Sequence, residues 1–521
     1  MLLEELNRAI EKGKAAYQQL IGQETVPSGC FTRREIYEGK TKEKEEKNAA
    51  QAAGWRNRFF AGDNRDAMLC LLKGDAALHM EPMAGKINLI YIDPPFDSQR
   101  LYHYQVNLGQ EMLLQPAYSD RWERETFDYI QMLTERLCLM KDLLAPDGSI
   151  LVHIDYHISH YVKILLDEIF GRNRFINEIV WCYGGGGAPK KHYTRKHDVI
   201  LWYSKGKEWF FQPQYRPYRK GTLERGLTAV KGSRYELHRE GAALDDWWAE
   251  PEVQKILSPT ARENMKYDTQ KPEGLLRRII RGHSREGDIV ADFFCGSGTT
   301  GITAEKMGRR WIMADASFPA FQISRRRLLE WKDCSPWEAE RQDGAFEEGK
   351  TDGIKSPEGG AKVDLQVQPT VGGTVLQVSL TGYTLAEEQM ESIPPKSRAA
   401  LEALVKEDWL KLIEYWDADS HYQGNGIFHP DAYSIRIYEG KKTGIRPVQW
   451  QFLLPWDMNE NEADGALHRV AVRIVDILGR EQLLIKTAEK QDAWEERHED
   501  HCGWAGENRI CAGKKAVRGK A

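Results

Sequence analysis

The sequence has no long hydrophobic run: no stretch of its 521 residues approaches the roughly 20 consecutive apolar residues that a membrane helix requires. Its first residues also lack the basic region followed by an apolar run that is typical of a secretory signal. We therefore expect a cytoplasmic protein with no membrane partner. At this length we expect two or three domains, and an apolar content of 41% is sufficient to fill their cores.

Cysteine is scarce and is not arranged for disulfides or metal. The eight cysteines contain no CxxC pair, which argues against a disulfide framework or a zinc ribbon and favours reduced thiols. Two histidines and two cysteines near the end of the chain have a spacing that fits no common zinc module, so we predict no metal site there. They are His498, His501, Cys502 and Cys511. We interpret this segment as a charged tail.

Positive charge is in deficit, since the net charge is −5, and this alone argues against a protein that binds nucleic acid. The distribution is uneven, however, because basic residues between Arg172 and Arg239 outnumber acidic ones more than twofold and alternate with aromatic residues. Such a segment could neutralise phosphates and stack on bases, although core packing is the favoured explanation for any single aromatic. The candidate DNA contacts are Lys190, Lys191, Arg195, Lys196, Arg216, Arg219 and Lys220.

Predicted strands and helices alternate from Trp55 to Trp331. The apolar run Ile87–Ile92 predicts a buried strand, and residues 127–144, with apolar residues at helical spacing, predict a helix that ends at the sequence Pro-Asp-Gly of residues 146–148. This β-α-β alternation indicates an α/β fold with a mostly parallel sheet covered on both faces.

The chain divides into segments of different composition. We assign residues 1–54 to an N-terminal helix and tether, and residues 55–335 to the α/β domain, with an insertion at 175–265. Residues 336–369, rich in charge and glycine without apolar periodicity, are predicted to form a linker. Residues 370–490 regain an alternating pattern and predict an accessory β-containing domain, and residues 491–521 form the tail.

A four-residue motif, Asp93, Pro94, Pro95 and Phe96, directly follows the predicted strand Ile87–Ile92. Loops at the carboxyl ends of such strands are where ligands bind in open α/β sheets. The Asp93 carboxylate and the Pro94 carbonyl could accept hydrogen bonds from an exocyclic amine and draw its nitrogen towards tetrahedral geometry. The prolines restrict the backbone, and Phe96 offers a ring face to an extruded base. An ordinary strand-end turn is the alternative.

A glycine-rich loop, DFFCGSGTT at residues 292–300, follows another predicted strand. The spacing of Gly296, Gly298 and Gly301 matches the dinucleotide-binding fingerprint, and Asp315 ends the next strand, where a ribose hydroxyl would be expected. A nicotinamide-dependent oxidoreductase is therefore one interpretation. The late position of the loop, after four predicted strands, argues against it.

Taken in order, these motifs resemble DNA amino-methyltransferases of the permuted β class, in which the catalytic motif precedes the target-recognition region and the cofactor motif comes last. The resemblance covers residues 55–331. It implies a Rossmann-like S-adenosylmethionine-dependent methyltransferase fold with an inserted target-recognition region and a C-terminal β-containing domain. The segments that carry it are Gly62-Asp63-Asn64, Asp93–Phe96, the basic insertion, Thr269-Gln270-Lys271-Pro272 and residues 292–300.

The resemblance implies catalytic roles for Asp93, Pro94, Pro95 and Phe96. It places S-adenosylmethionine against Asp63 near the adenine, against Gln270, Lys271 and Pro272 at the methionine end, and against Asp292, Phe294, Gly296, Gly298, Thr299 and Asp315. Three positions depart from the commoner family residues, which are tyrosine, proline and glutamate: Phe96, Asp268 and Asp315. Each keeps the required chemistry.

The implied reaction is site-specific methyl transfer from S-adenosylmethionine to adenine N6 in double-stranded DNA, because aspartate at the head of the motif favours adenine over cytosine N4. A cytosine-N4 methyltransferase and a non-catalytic DNA specificity subunit are the alternatives. The C-terminal region is similar to extensions of type III-like modification subunits, which implies a restriction-modification system and a restriction helicase-nuclease partner. For the C-terminal region, the alternative is a generic β domain that stabilises the enzyme. A homodimer is a further expectation.

Overall fold

The computed structural model describes residues 2–23, 31, 33–38, 55–76, 78–108, 112–120, 126–185, 189–225, 238–256, 263–342, 360–370, 373–385, 390, 393–436, 445–455 and 468–488. The chain divides into two compact units. The first comprises Met1–Phe31, Gly39–Tyr104 and Pro116–Trp337, and the second comprises Thr32–Glu38, Gln105–Gln115 and Glu338–Ala521. The predicted charged tail and its four metal-binding residue types lie outside the described residues.

Eight strands of the first unit belong to the central sheet, which has eleven strands among the described residues. They are β1 (Asn57–Ala61), β2 (Ile87–Ile92), β3 (Leu144–Ile154), β4 (Phe175–Cys182), β5 (His197–Ser204), β6 (Trp247–Trp248), β7 (Ile289–Asp292) and β8 (Arg310–Asp315). Their order is β6-β4-β5-β3-β2-β7-β8-β1, and β5 alone among these eight runs antiparallel to its neighbours. The predicted mostly parallel α/β sheet is confirmed.

Helices of the same unit connect these strands. They are α1 (Leu2–Ile21), α2 (Asn64–Lys73), α3 (Thr126–Leu143), α4 (Ser159–Phe170), α5 (Lys220–Arg225), α6 (Glu273–His283), α7 (Thr299–Lys306) and α8 (Phe318–Glu330). Short 3₁₀ turns lie at Arg172–Arg174 and Pro251–Val253. A hairpin of Leu101–Asn107 and Met112–Ser119 follows β2, and the range Gln105–Gln115 belongs to the second unit.

The core of the first unit lies between the sheet and α2, α3 and α4, where almost every apolar side chain is inaccessible to solvent. Helix α1 joins this core through Leu6 and Ile10 and packs closely on α3. A Cβ atom at Gly13 would lie 2.5 Å from Thr134 Cβ, so only glycine permits this approach. The N-terminal helix is thus part of the first unit.

The predicted end of the helix at Pro146-Asp147-Gly148 is wrong in detail. Helix α3 ends at Leu143 and β3 starts at the next residue, so these three residues lie inside a strand. The register between β2 and β3 shifts at this point, which accommodates the extra residues as a bulge. Gly148 fits because a Cβ atom there would lie 2.9 Å from the Ile87 carbonyl oxygen.

The second unit contains the predicted C-terminal β structure. A three-stranded antiparallel sheet consists of Gly360–Thr370, Gly373–Thr384 and Gln449–Pro455. A four-stranded antiparallel sheet has the order Ala432–Ile435, Ile413–Asp419, His468–Asp476 and Glu481–Ala488. Helix Pro395–Glu407 and a 3₁₀ turn at Trp409–Leu412 connect the two, and Arg33–Tyr37 pairs in parallel with Ile427–Phe428.

The predicted linker at 336–369 is wrong at both ends. Trp337–Arg341 is a buried strand, and Gly360–Thr370 is the first strand of the three-stranded sheet. Residues 343–359 lie outside the described residues. The error arises because charged residues in these strands are paired inside the second unit: the Arg341 guanidinium, 3% exposed, lies 2.6 Å from Glu481. No helix in the described part of the chain is long and apolar enough to cross a membrane.

Candidate active site

The candidate active site is a cavity at the carboxyl edge of the central sheet. Its volume of about 450 Å³ is typical of small-molecule sites. Strands β2, β7 and β8 are neighbours, so the loops that follow them meet at this edge. Asp93 after β2, Asp292 at the end of β7 and Asp315 at the end of β8 all line the cavity. The structure thus brings together the two loops that the sequence analysis selected.

Asp93 lines this cavity and has one carboxylate oxygen without a hydrogen-bond partner among the described residues. Its side chain is 17% exposed and forms an ion pair through Oδ2 with the ammonium group of Lys271. The other oxygen, Oδ1, is buried and has no hydrogen-bond partner among the residues that the structure describes. A buried acceptor without a partner costs about 1–3 kcal/mol. A ligand that donates an N–H bond at this position would remove that cost.

The other residues of the Asp93–Phe96 motif lie beside this acceptor. Pro94 is buried, and Pro95 lines the cavity. The Phe96 ring is stacked on the buried imidazole of His153, with centroids 6.3 Å apart and planes inclined by 20°. The position of the Phe96 ring is therefore supported by the ring of His153.

Asp120 holds the loop after the motif. Its Oδ2 accepts hydrogen bonds from the Phe96 amide at 3.1 Å, the Ser98 amide at 2.8 Å and the Ser98 hydroxyl at 2.7 Å. Its Oδ1 accepts from the Asp97 amide at 3.1 Å. The loop needs such an anchor because Asp97 and Gln99 have φ angles of 55° and 57°, a region that side chains other than glycine rarely adopt.

A chain of buried polar side chains lies behind the motif. The Tyr91 hydroxyl is 2.9 Å from Nδ1 of His153, and Nε2 of His153 is 3.3 Å from Asp198. Burial lowers the pKa of His153, and burial raises the pKa of Tyr91 well above its ordinary value. Both are therefore neutral near pH 7, so Tyr91 donates to Nδ1 and Nε2 donates to Asp198. This chain fixes the ring on which Phe96 stacks.

The glycine loop is braced by Asp292, which is 2% exposed. One carboxylate oxygen accepts from the Phe294 amide at 3.0 Å and the other from the Thr300 hydroxyl at 2.5 Å. Burial raises the pKa of Asp292 to about 7. Gly298 has a φ angle of 70° and would place a Cβ atom 2.4 Å from the Ser324 hydroxyl, so this position requires glycine. The loop then runs directly into α7, which Thr299 begins, and Phe294, Gly296 and Thr299 line the cavity.

Asp315 and Asp63 supply carboxylates on the β8 and β1 side of the cavity. Asp315 accepts from the Gly296 amide and the Ser317 amide, each at 2.8 Å, and burial raises its pKa to about 6. Asp63 caps α2 and accepts from Arg136 at 3.1 Å. Both line the cavity, and their contacts with a nucleoside stay a prediction.

The segment Thr269-Gln270-Lys271-Pro272 closes the cavity from α6. Thr269 has a φ angle of 67°, and its hydroxyl is 3.3 Å from the hydroxyl of Tyr118, which also lines the cavity. Gln270 accepts from the Met265 amide at 2.8 Å, which keeps the segment compact. Pro272 precedes α6, where a fixed φ suits a helix start. Lys271 points to Asp93, a contact that the sequence did not indicate.

The first group of candidate DNA contacts lies at the active-site edge. Residues 190–196 belong to the connection between β4 and β5, which leaves and re-enters the sheet at the edge where Asp93 lies. Arg195 is held there by Tyr156, which follows β3. Its guanidinium donates to the Tyr156 hydroxyl at 2.6 Å and lies 4.3 Å from the ring centroid. This group comprises Lys190, Lys191, Arg195 and Lys196.

The second group is placed differently. Arg216 forms an ion pair with Asp245 at 2.8 Å, and Arg219 and Lys220 lie at the start of the short helix α5. Residues 212–214, which precede this group, donate hydrogen bonds to carbonyl oxygens in the second half of α6. The cavity lies at the other end of this helix, where α6 starts. None of these three residues lines the cavity.

The aromatic residues of the insertion are mostly structural. Trp181 is fully buried and Trp202 is 4% exposed, so core packing accounts for both. The segment after β5 bonds at Phe210 to the Asp147 carbonyl, at the edge of the sheet opposite Asp93. Strands β4 and β5 also belong to the central sheet rather than to an insertion, so the irregular region begins after Ser204.

Four residues of the site belong to no sequence motif and were not predicted. They are Asp120, His153, Asp198 and Tyr118. They come from a loop, two strands and a hairpin, and their separation along the chain conceals their proximity. A polar residue inside an apolar strand, such as the histidine of β3, was the available signal. Within the described residues, no group of three or more His, Cys, Asp or Glu is placed to hold a metal ion.

Comparison with known proteins agrees with this geometry. A family model described as DNA methylase matches residues 87–325, which include the Asp93 motif and the glycine loop. This match assigns the glycine loop of residues 292–300 to the DNA methylase domain and argues against the nicotinamide interpretation.

Individual relatives match the DNA methylase domain. The chain is 30% identical over 305 residues to the type II methyltransferase M.EcaI of Enterobacter cloacae, covering 47% of this chain and 65% of that protein. It is 27% identical over 262 residues to the DNA adenine methyltransferase YhdJ of Escherichia coli, covering 50% and 82%. The chain thus spans just under two thirds of M.EcaI. A solved structure of an M1.HpyAVI–SAM complex matches with 20% identity and a TM-score of 0.32, covering 52% and 98%.

Proposed function

We propose that this chain transfers a methyl group from S-adenosylmethionine to adenine N6 in double-stranded DNA, as the modification component of a restriction-modification system. The observation that supports this most directly is Asp93, which lines the cavity and whose buried Oδ1 has no hydrogen-bond partner among the described residues. A target amine carries N–H donors that this oxygen could accept.

The reaction requires the amine nitrogen to become tetrahedral. In the planar amine the lone pair is delocalised into the ring, and acceptors that bind its N–H bonds favour the localised form. Asp93 Oδ1 and the Pro94 carbonyl are the acceptors that we assign, and the proline restricts the direction of its own backbone. Phe96 would stack on the target base after the base leaves the duplex. His153 stacks on Phe96 and supports its ring.

The residues around the glycine loop fit S-adenosylmethionine, which supplies an electrophilic methyl group when bound. The fit rests on the carboxylate hydrogen-bond acceptors that line the cavity and on the glycines of the loop beside it. Asp315 ends β8 beside the glycine loop, where it can accept from ribose hydroxyls, and Asp63 lies at the start of α2 on the same cavity. Gly296 has a φ angle of 49°, a backbone conformation that glycine adopts more readily than other residues.

DNA would contact the carboxyl edge of the sheet. The basic residues 190–196 lie in the connection at this edge, and cations beside a base-binding cavity can neutralise phosphates of the flanking strand. The second group, at residues 216–220, lies farther along α6 and remains a proposed DNA contact. The helicase-nuclease partner and the homodimer remain predictions.

The test is methyl transfer in vitro. Purified chain is incubated with DNA and tritiated S-adenosylmethionine, the DNA is digested to nucleosides, and these are separated by chromatography. We expect the label in N6-methyladenine. Label in N4-methylcytosine would support the alternative amine. DNA binding without label would support a non-catalytic specificity subunit and would contradict the proposal.

A further inference from the structure

We infer that Lys271 is a positioning residue for the reaction: it holds the Asp93 carboxylate by one oxygen so that the other is a fixed acceptor for the target amine. This inference rests on the proposed function and adds a role at the same site. The resemblance to DNA amino-methyltransferases implied a contact between Lys271 and the cofactor, whereas the structure pairs it with the catalytic carboxylate.

The backbone around Lys271 is rigid. Tyr267 forms a β-bridge with Tyr104, and Thr269 adopts a φ angle of 67°. The Gln270 side chain bonds back to the Met265 amide at 2.8 Å, and Pro272 leads into α6. Since the residues on both sides are fixed, the lysine stem starts from a defined position.

The ammonium group of Lys271 is buried and needs an anionic partner. Its side chain is 8% exposed, and a buried ammonium is stable only when paired. Asp93 is that partner, and the nitrogen also lies 5.3 Å from the Phe96 ring centroid. One cation therefore contacts both the proposed acceptor and the proposed base platform.

The two oxygens of Asp93 consequently have different roles. Oδ2 is bound to Lys271, and Oδ1 is buried without a partner among the described residues. A free carboxylate can rotate and exchange its oxygens, whereas one tethered through Oδ2 presents Oδ1 in one direction. Positioning of this kind acts on turnover, and an error of about 1 Å commonly costs about 10²-fold in rate.

The experiment compares Lys271→Met, Lys271→Arg and Lys86→Met in the full chain. Lys86 is an exposed cation at the other end of β2, so its change matches the loss of charge without touching the site. For Lys271→Met we expect turnover at saturating S-adenosylmethionine to fall about 10²-fold, with cofactor affinity by calorimetry within threefold of wild type.

Lys271→Arg keeps the cation and should recover at least tenfold of the lost turnover, whereas Lys86→Met should behave as wild type. Cofactor affinity lowered more than tenfold with unchanged saturated turnover would overturn the inference and support the cofactor contact.

A readout independent of activity is the melting temperature of Lys271→Met, Asp93→Asn and the double variant. Each single change leaves one buried charge unpaired, so each should lower the melting temperature, and the double variant should recover most of the loss. Additive losses would overturn the pairing and hence the inference. If wild type transfers no methyl group to DNA while this coupling is present, the proposed function fails and the tether of Asp93 by Lys271 stands.

Discussion

Asp120 provides a demanding test of how the active-site loop is held. It is fully buried, and its carboxylate accepts hydrogen bonds from the Phe96, Asp97 and Ser98 amides and from the Ser98 hydroxyl. Each bond to a charged acceptor contributes about 1.5–3 kcal/mol, but such contributions are not additive. We expect Asp120→Ala to reduce the stability of the ordered loop by about 3–5 kcal/mol.

A loss of this size lowers the population of the ordered loop steeply, since each 1.4 kcal/mol is about tenfold. We therefore expect turnover to fall by about 10²–10³ in Asp120→Ala. Asp120→Asn should be intermediate: its amide oxygen can replace Oδ2, which accepts three of the four bonds, while its amide nitrogen would face the Asp97 amide as a second donor.

The assay is methyl transfer at saturating DNA and S-adenosylmethionine, with cofactor affinity measured by calorimetry on the same preparations. Cofactor affinity should remain near the wild-type value because Asp120 bonds the loop after β2 rather than the glycine loop. The control is Asp333→Ala, which removes an exposed carboxylate between α8 and the next strand. Turnover of Asp120→Ala within twofold of wild type would refute the reasoning.

Three further outcomes follow from the structure. Burial raises the folded-state pKa of Asp292 to about 7, above an unfolded value of about 3.9. Protonation of this carboxyl therefore stabilises the folded state at low pH, and that contribution to the free energy of unfolding is lost as pH rises between the two values. Asp292→Asn should flatten the fall in melting temperature between about pH 4 and pH 7, and an unchanged slope would contradict this. Asp315→Ala should weaken S-adenosylmethionine binding by about 10–100-fold in calorimetry, and unchanged affinity would exclude a ribose contact. Neutralising the four basic residues at 190, 191, 195 and 196 should make the dependence of DNA affinity on salt shallower without changing cofactor affinity, whereas an equal slope would identify them as a solvated surface.

The parts of the fold that sequence predicted are those set by local patterns. The apolar run Ile87–Ile92 and the loop at 292–300 needed only burial and glycine geometry, and both are as expected. The proximity of the two loops followed from the rule that parallel strands end at one edge. Asp93 was therefore identifiable from sequence as a residue at the edge where the cavity lies.

Long-range pairing was not predictable in the same way. Arg33–Tyr37 belongs to the second unit, where Glu35 pairs with Arg473, more than 400 positions later. Buried charges of this kind look like exposed linker or tether in sequence, because burial of a charge depends on a distant partner. Asp120 and Lys271 show the same effect in the site, since each acts on a motif that is remote in the chain.

The most direct test of the account is base-resolved methylation sequencing of DNA from cells that express either wild type or Asp93→Ala. The account predicts N6-methyladenine at one short recurring sequence with wild type and unmodified adenine at that sequence with the variant, provided that the purified variant still binds S-adenosylmethionine. Absence of methylation with wild type, or equal methylation with the variant, would contradict the proposal that Asp93 activates a DNA base amine.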